Sequence, residues 1–183
     1  VVNIRGEKSH SVVRQAMTVL VNLNHRGACG CEVNTGDGAG ITIQIPHAFL
    51  ATAMAAQGVT LPEPGSYGVG MLFLPKDDGL RAQFEQRFAA IAAEEGQPVI
   101  GWRTVPTNNQ SLGATAQAGE PFVRQVFLER TAAKLIGDDA LAFERKLFVI
   151  RKRAEQSIRY SGEANANQFY VVSLSSRTIV YKG

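Results

Sequence analysis

The chain has 183 residues, of which 45% are hydrophobic and 19% charged, so it can bury the core of one domain. The net charge of +3 comes from 19 basic and 16 acidic residues, and no basic stripe is interleaved with aromatic residues, so we expect no nucleic-acid binding. No apolar run approaches the roughly 20 residues of a membrane span, and no charged region precedes an apolar stretch, so we expect neither a membrane partner nor a signal peptide.

The first elements are predicted from periodicity and capping residues. Residues 1–4 form a short strand with Gly6 as its turn, and Ser9 or Ser11 caps a helix that stops near Gly27. Isoleucines at 41, 43 and 45 alternate with polar residues, which predicts a half-buried strand ended by Pro46. A short helix follows at 48–57. The first helix has apolar residues at helical spacing, namely Val12, Val13, Ala16, Met17, Val19, Leu20 and Leu23.

From about residue 68 the predicted elements follow the order β-α-β-β-α-β, the split βαβ arrangement. Asp77 or Asp78 caps the first helix, and Asp138 or Asp139 opens the second, whose apolar positions run from Phe143 to Ile158. A polar loop is predicted at 107–120. The strands are predicted at 68–75, 98–105, 121–130 and 168–174, and the last of them forms a hairpin with 178–183 across Ser175, Ser176 and Arg177.

Both ends of the chain are strand-like, and the first residue is not a methionine. Because natural domains seldom start and stop inside a strand, we expect the chain to be a piece of something longer. The two cysteines, Cys29 and Cys31, are one residue apart, which is poor spacing for a disulfide and too few ligands for zinc. We therefore expect no metal site and a reducing, cytosolic setting.

Residues 24–41 read NHRGACGCEVNTGDGAGI and form the most informative stretch. A phosphate-binding P-loop would need a lysine, and a dinucleotide fingerprint would need its glycines between a strand and a helix, so neither fits. A nucleophilic pair of Cys29 or Cys31 with His25 is possible in principle, but an inert cysteine in a glycine-rich turn is favoured. His25 is more typical of a capping or packing histidine than of a catalytic base.

Two further residues of this stretch have alternative roles. Arg26 sits where it can hold helix-end carbonyls or a carboxylate, and both remain open. Asp37, between two glycines, is most simply a turn residue that hydrogen-bonds its own loop.

The combination is more specific than its parts. Asn-His-Arg-Gly-Ala at a helix end, followed by Asn-Thr-Gly-Asp-Gly-Ala-Gly-Ile before a strand, resembles the start of type-2 glutamine amidotransferase domains, and more closely those of glutamate synthase large subunits. The resemblance covers the whole chain, and the stretches at 68–75, 101–108, 145–153 and 169–183 resemble the large subunits and not shorter amidotransferases. It implies an incomplete amidotransferase domain over 1–183, with 1–66 starting the core and 67–183 forming a family-specific region.

The resemblance implies an α+β fold, part of a four-layer αββα sandwich of N-terminal-nucleophile hydrolases. In that family an N-terminal cysteine attacks the glutamine amide, with its own α-amine as proton shuttle. By alignment that cysteine lies about five residues before Val1, so no catalytic residue is expected in this chain. The oxyanion-hole motif His-Asn-Gly-Glu is expected beyond Gly183, and the chain by itself is predicted to lack glutaminase activity.

What carries over to this chain is a set of positioning residues. His25, Arg26 and Gly27 match the motif beside the nucleophile strand. The loop that feeds the next strand is matched by Thr35, Gly36, Asp37 and Gly38, whose glycines let backbone pass close to the site wall. The run Arg151-Lys152-Arg153 is interpreted as a solvated helix face, with a contact to the rest of the large subunit as its alternative. Trp102 is interpreted as a core or interface residue.

The resemblance implies no cofactor in this segment, with FMN and an iron–sulfur cluster elsewhere in the larger enzyme. Its implied partners are glutamine, the remaining domains of the same large subunit, and a small subunit or ferredoxin. The implied compartment is cytoplasmic, or plastid in a photosynthetic eukaryote. The alternatives are another type-2 amidotransferase or a non-catalytic binding module with the same fold.

Overall fold

The computed structural model describes residues 3–27, 32, 36, 38–137 and 141–182. The chain divides into two compact units. The first unit comprises residues 1–44, 108–120 and 180–183, and the second comprises 45–107 and 121–179.

The first unit begins with a helix whose cap confirms one of the two predicted serines. In α1 (His10–Asn22) the Ser9 side chain accepts a hydrogen bond from the backbone N–H of Ser11, at 3.2 Å. Ser9 therefore satisfies one of the free amides of the first turn. Helix α1 has the predicted apolar face, but none of its residues is buried. Val21, for example, is 70% exposed.

The predicted strand at residues 1–4 is wrong for the part that is described. Ile4 and Arg5 form a turn, which the Asn3 side chain closes by accepting from the Arg5 N–H at 2.8 Å. Gly6 completes the turn with φ at +72° and donates to the Asn3 carbonyl at 3.0 Å. A local Asx-type turn thus competes successfully with the strand preference of the flanking valine and isoleucine. The predicted role of Gly6 is confirmed.

The rest of the first unit contains a strand and one helix that the sequence pattern did not indicate. Strand β1 (Gly40–Gln44) has the predicted alternation, with Ile41 and Ile43 half-buried; α2 (His47–Ala55), which follows it in the chain, belongs to the second unit. The predicted polar loop at 107–120 holds a short helix at Ala114–Gly119. Its alanines favour a helix, yet a six-residue helix needs outside contacts to persist.

The second unit is built on a four-stranded antiparallel sheet. Its strands are β2 (Tyr67–Leu74), β3 (Val99–Thr104), β4 (Phe122–Glu129) and β5 (Tyr170–Ser175). The order across the sheet is β3-β4-β2-β5, with β2 paired to both β4 and β5. This order is that of the split βαβ unit, and it confirms the β-α-β-β-α-β arrangement predicted from residue 68.

The long helices of this unit match their predictions closely. In chain order, the short helix Ala114–Gly119 described above is numbered α4. Asp77 caps α3 (Asp78–Glu94) by accepting from the Leu80 N–H at 2.7 Å. Helix α5 (Ala142–Ala154) continues into a π-helical segment, Glu155–Arg159. Asp138 and Asp139, the predicted openers of α5, lie outside the described residues.

Both helices contribute to one apolar core. The predicted inward face of α5 is buried at Phe143, Leu147, Ile150, Ala154 and Ile158. Aromatic rings meet edge to face, with Phe84 against Phe169 at 5.9 Å and Phe88 against Trp102 at 5.8 Å between centroids. The remaining core members are Leu72, Leu74, Ile91, Ala92, Val126, Leu128, Val171 and Leu174.

The predicted hairpin between the last two strands is wrong. Strand β6 (Thr178–Lys182) pairs with β1 in a two-stranded sheet, whereas β5 belongs to the four-stranded sheet. The turn between them is held by Glu144, whose carboxylate accepts from the Ser176 N–H at 2.6 Å and the Ser175 hydroxyl at 3.0 Å. These contacts fix the turn to α5, so the two strands leave it toward different partners.

The mixture of helices and antiparallel sheets confirms an α+β fold. This class is the one that N-terminal-nucleophile hydrolases share. Within the described part of the chain, no helix combines the length and the apolar character needed to cross a membrane.

Candidate functional site

The segment 24–41 begins with a single 3₁₀ turn, Asn24–Arg26, directly after α1. The Arg26 N–H donates to the Leu23 carbonyl at 2.9 Å, and the Gly27 N–H donates to the Asn24 carbonyl at 3.2 Å. These bonds turn the chain sharply out of the helix. Helix α1 was predicted to stop near Gly27, and in the structure it ends at Asn22. Gly27 has an extended backbone, with φ at −79°, and marks the point where the chain changes direction after the 3₁₀ turn.

His25 takes the capping position that its place at a helix end predicts. Its Nδ1 lies 2.9 Å from the Asn22 carbonyl oxygen. Since a carbonyl oxygen only accepts, Nδ1 carries the proton in this contact. The His25 side chain is exposed, and among the described residues no hydrogen bond to its Nε2 is found. The geometry is that of a cap that leaves one ring nitrogen available.

Arg26 is the exposed cation of this segment. Within the described residues its guanidinium makes no hydrogen bond and no ion pair. Among the described residues, Arg26 holds no carbonyl, and both alternatives for its role stay predictions. An exposed guanidinium with five donors beside a sharp turn is chemically suited to bind a carboxylate in a bidentate manner.

The glycines of the loop lie at exposed positions. Gly38 has φ at +76°, a left-handed conformation that favours glycine over residues with a Cβ. Gly36 is an isolated bridge residue just before it. The other two matched positions, Thr35 and Asp37, lie outside the described residues, as do Cys29 and Cys31.

Sequence reasoning missed one residue of this loop, Glu32. Its carboxylate accepts hydrogen bonds from the Thr115 N–H at 3.1 Å and from the Thr115 hydroxyl at 3.0 Å. Hydrogen bonds from the backbone and side chain of Thr115 hold the pKa of Glu32 below its usual range. The sequence contains only a weak signal for this contact. It is the Gly-Ala-Thr that starts at Gly113 and opens an alanine-rich run.

Glu32 thereby stabilises the helix that the sequence pattern did not predict. The contacts reach the first amides of α4, which has no side-chain cap of its own. A carboxylate at this end satisfies free backbone N–H groups and complements the helix dipole.

The basic run on α5 faces solvent but is fully engaged in ion pairs. Arg151 and Lys152 both pair with Glu155, at 3.0 and 2.9 Å. Arg153 pairs with Glu94 at 2.6 Å and with Glu95 at 2.7 Å. These cations therefore form ion pairs within the second unit.

Trp102 packs against the core of the second unit, as expected. Besides its edge contact with Phe88, its ring lies 5.6 Å from the Arg124 guanidinium carbon. No group of three or more histidine, cysteine, aspartate or glutamate side chains arranged to hold a metal occurs among the described residues.

Comparison with known proteins places this chain in a family. A family model described as class-II glutamine amidotransferases matches residues 1–183. The large chain of NADPH glutamate synthase from Bacillus subtilis is 44% identical over 181 residues, which are 99% of this chain and 11% of that protein. The ferredoxin-dependent glutamate synthase of Pyropia yezoensis is 37% identical over 183 residues, 100% of this chain and 11% of that protein.

A fungal relative shows the same pattern. The NADH glutamate synthase of Schizosaccharomyces pombe is 34% identical over 183 residues, 99% of this chain and 8% of that protein. This chain thus spans about a tenth of the length of the curated relatives it matches. The match over its whole length shows that the chain belongs to the class-II glutamine amidotransferases and is similar to the amidotransferase region of glutamate synthases.

Proposed function

We propose that this chain is part of the glutamine-hydrolysing domain of a glutamate synthase, and that its segment 24–41 forms a wall of the glutamine site. The observation that carries the proposal is the match to glutamate synthases across 99–100% of the chain. The turn at 24–27 and the left-handed Gly38 support it, because the turn carries the exposed Arg26 guanidinium, which pairs with none of the described residues, and Gly38 adds exposed backbone to the same segment.

The proposed reaction uses a cysteine thiolate that attacks the side-chain carbonyl carbon of glutamine. The carbon–nitrogen bond breaks, ammonia leaves with a proton delivered by the α-amine, and a glutamyl thioester remains. Water then attacks the thioester and releases glutamate and the thiol. The nucleophile that the resemblance implies is an N-terminal cysteine about five residues upstream of Val1. Cys29 and Cys31 follow α1 in the chain and have no free α-amine.

The residues of this chain take positioning roles in that scheme. Arg26 has donors that pair with none of the described residues and that suit a substrate or protein carboxylate, and His25 holds the turn that orients it. Gly27, Gly36 and Gly38 keep the wall free of side chains, and Thr35 and Asp37 belong to the same loop. Without the upstream cysteine and an oxyanion hole, residues 1–183 alone would hydrolyse no glutamine.

The larger enzyme would pass ammonia to 2-oxoglutarate at a flavin domain. FMN and an iron–sulfur cluster would reside in domains outside this segment, with ferredoxin or a nicotinamide-dependent small subunit as electron donor. The enzyme would act in the cytoplasm, or in plastids of a photosynthetic organism. The relatives of both electron-donor types match this chain over nearly its full length.

The test uses the natural full-length chain that contains this sequence, treated with an electrophilic glutamine analogue and mapped by mass spectrometry. The proposal expects modification of the upstream N-terminal cysteine, at an unchanged rate in the Cys29→Ser and Cys31→Ser variants. Modification at Cys29 or Cys31 would overturn the assignment of the nucleophile. No modification at any cysteine would favour a non-catalytic module.

A further inference from the structure

Two parts of the first unit that are distant in sequence are joined through one side chain. Residues 24–41 and 108–120 both belong to this unit, and Glu32 bonds to the backbone and hydroxyl of Thr115. The two residues are 83 positions apart in the chain. The contact therefore restricts how the chain around Glu32 can lie against α4.

A second observation supports the same contact from the other side. Gly113 has φ at −68° and ψ at 164°, a conformation that alanine adopts freely. A Cβ at Gly113 would nevertheless lie far inside contact distance of the Glu32 carboxylate, and 3.0 Å from the Glu32 Cβ. Gly113 is therefore needed for the space that Glu32 occupies, while its own backbone conformation does not demand glycine.

We propose that Glu32 is a positioning residue for the glutamine site, which ties the wall segment 24–41 to the helix α4 so that residues 108–120 determine how well glutamine is held. The inference rests on the proposed function, since it assigns Glu32 to that same wall. Glu32 touches no reacting atom in this scheme. Its effect passes through the placement of the neighbouring wall, where a small displacement changes the rate strongly.

The inference separates substrate positioning from the chemistry of the thiolate. The Glu32→Ala variant removes both hydrogen bonds to Thr115, so labelling by an electrophilic glutamine analogue should slow about ten-fold or more. Alkylation of the same N-terminal cysteine by iodoacetamide, which needs no glutamine recognition, should keep its wild-type rate. In steady-state assays the KM for glutamine should rise more than kcat falls. Glu32→Gln retains one accepting oxygen, so its rate of labelling by the analogue should lie between those of the wild type and Glu32→Ala.

Gly113→Ala gives an independent test through the same contact. Its added methyl group displaces the Glu32 carboxylate, so this variant should reproduce the labelling defect. In a Glu32→Ala background the carboxylate is gone and only the 3.0 Å approach to the Cβ of residue 32 remains, so Gly113→Ala should then add a much smaller defect than it causes in the wild type. Such non-additivity is expected only when two substitutions act on one contact.

Glu144 provides the matched control in the second unit. Its carboxylate also accepts from a backbone N–H and from hydroxyl groups across a turn, at Ser175 and Ser176. Glu144→Ala should lower thermal stability without changing the ratio of the two labelling rates.

The full-length chain is used throughout, with the modified residue identified by mass spectrometry. Equal labelling ratios in wild type and Glu32→Ala would overturn the positioning role and leave the proposed function intact. Additive effects of Glu32→Ala and Gly113→Ala would overturn it as well. Absence of analogue labelling in the wild type would instead contradict the proposed function itself.

Discussion

The two units of this chain differ in how they treat their apolar residues. In the second unit, Phe84, Phe88 and Phe143 are at most 1% exposed and pack with the sheet into one core. In the first unit, α1 carries an apolar stripe with helical spacing, yet no residue of this helix is buried. The second unit thus holds its own apolar core, whereas the first unit carries the segment that we propose as a wall of the glutamine site.

The difference shows that periodicity and burial are separate properties. A spacing of three and four residues predicts that α1 is helical and which side is apolar, and the structure confirms the helix. Burial also requires a partner surface. The stripe of α1 includes Met17 and Val19, which are 48% and 45% exposed.

The largest effect should come from truncating the core of the second unit. Phe143→Ala removes a ring that is 1% exposed and should lower the free energy of unfolding by about 3–5 kcal/mol. Urea unfolding of the 183-residue chain, followed by the fluorescence of its single tryptophan, Trp102, measures this directly. Val21→Ala in α1 is the comparison, and it should change stability by less than about 0.5 kcal/mol because Val21 is exposed. A large effect of Val21→Ala would remove the contrast between the units.

A glycine-to-alanine pair tests the same contrast by overpacking. At Gly70 in β2 an added Cβ would lie 2.6 Å from Val126 Cγ1, so Gly70→Ala should destabilise by about 1–3 kcal/mol. At Gly119 in α4 nothing lies within 4 Å of an added Cβ. Gly119→Ala should therefore be neutral, or stabilising by up to about 1 kcal/mol. Thermal unfolding of both variants checks the pair, and equal destabilisation would contradict the packing described here.

An ion-pair network makes a smaller, pH-dependent contribution to the second unit. Hydrogen bonds from Lys146 and Arg153 lower the pKa of Glu95. A lowered carboxyl pKa stabilises the folded state above the unfolded-state pKa, and this stabilisation is lost as pH falls through the folded-state pKa. Glu95→Gln should thus cost about 1 kcal/mol at pH 7 and much less at pH 3. Urea midpoints at the two pH values measure the change.

Glu85 should show the opposite trend and the smallest effect. Burial raises its pKa, while the charges of Arg124 and Arg81 partly offset the shift. A raised pKa favours the protonated form in the folded state, so the stabilisation is present at low pH and lost as pH rises through the folded pKa. Relative to Glu85→Gln, the wild type should therefore lose stability between pH 3 and pH 7. A parallel trend for Glu85 and Glu95 would contradict these assignments.

Most elements of the second unit were predicted from local sequence signals, because the capping residues and the apolar spacing there agree with the packing that the structure shows. Asp77 caps α3 as its position indicates, and the inward face of α5 follows from helical spacing alone. The hairpin at Ser175–Arg177 was predicted wrongly because strand partners depend on distant residues. Glu144 on α5 holds that turn, and no pattern within 168–183 contains this information.

The candidate site was only partly accessible from sequence. Residues 25–27 and the glycines at 36 and 38 stand out in the printed sequence, and their roles in glutamine binding stay predictions. Glu32 was missed because an isolated glutamate in a loop is ordinary. Its partner Thr115 lies 83 residues away, in a stretch that was predicted to be a loop.

The central claim is that the second unit supplies stability and the first unit supplies the wall of the glutamine site. Hydrogen exchange on the full-length chain, with and without the electrophilic glutamine analogue, tests both parts in one measurement. The account predicts slow exchange in β2, β4 and α5 that the analogue leaves unchanged, and faster exchange in segment 24–41 that the analogue slows. Protection by the analogue confined to the second unit, with none in 24–41, would contradict it.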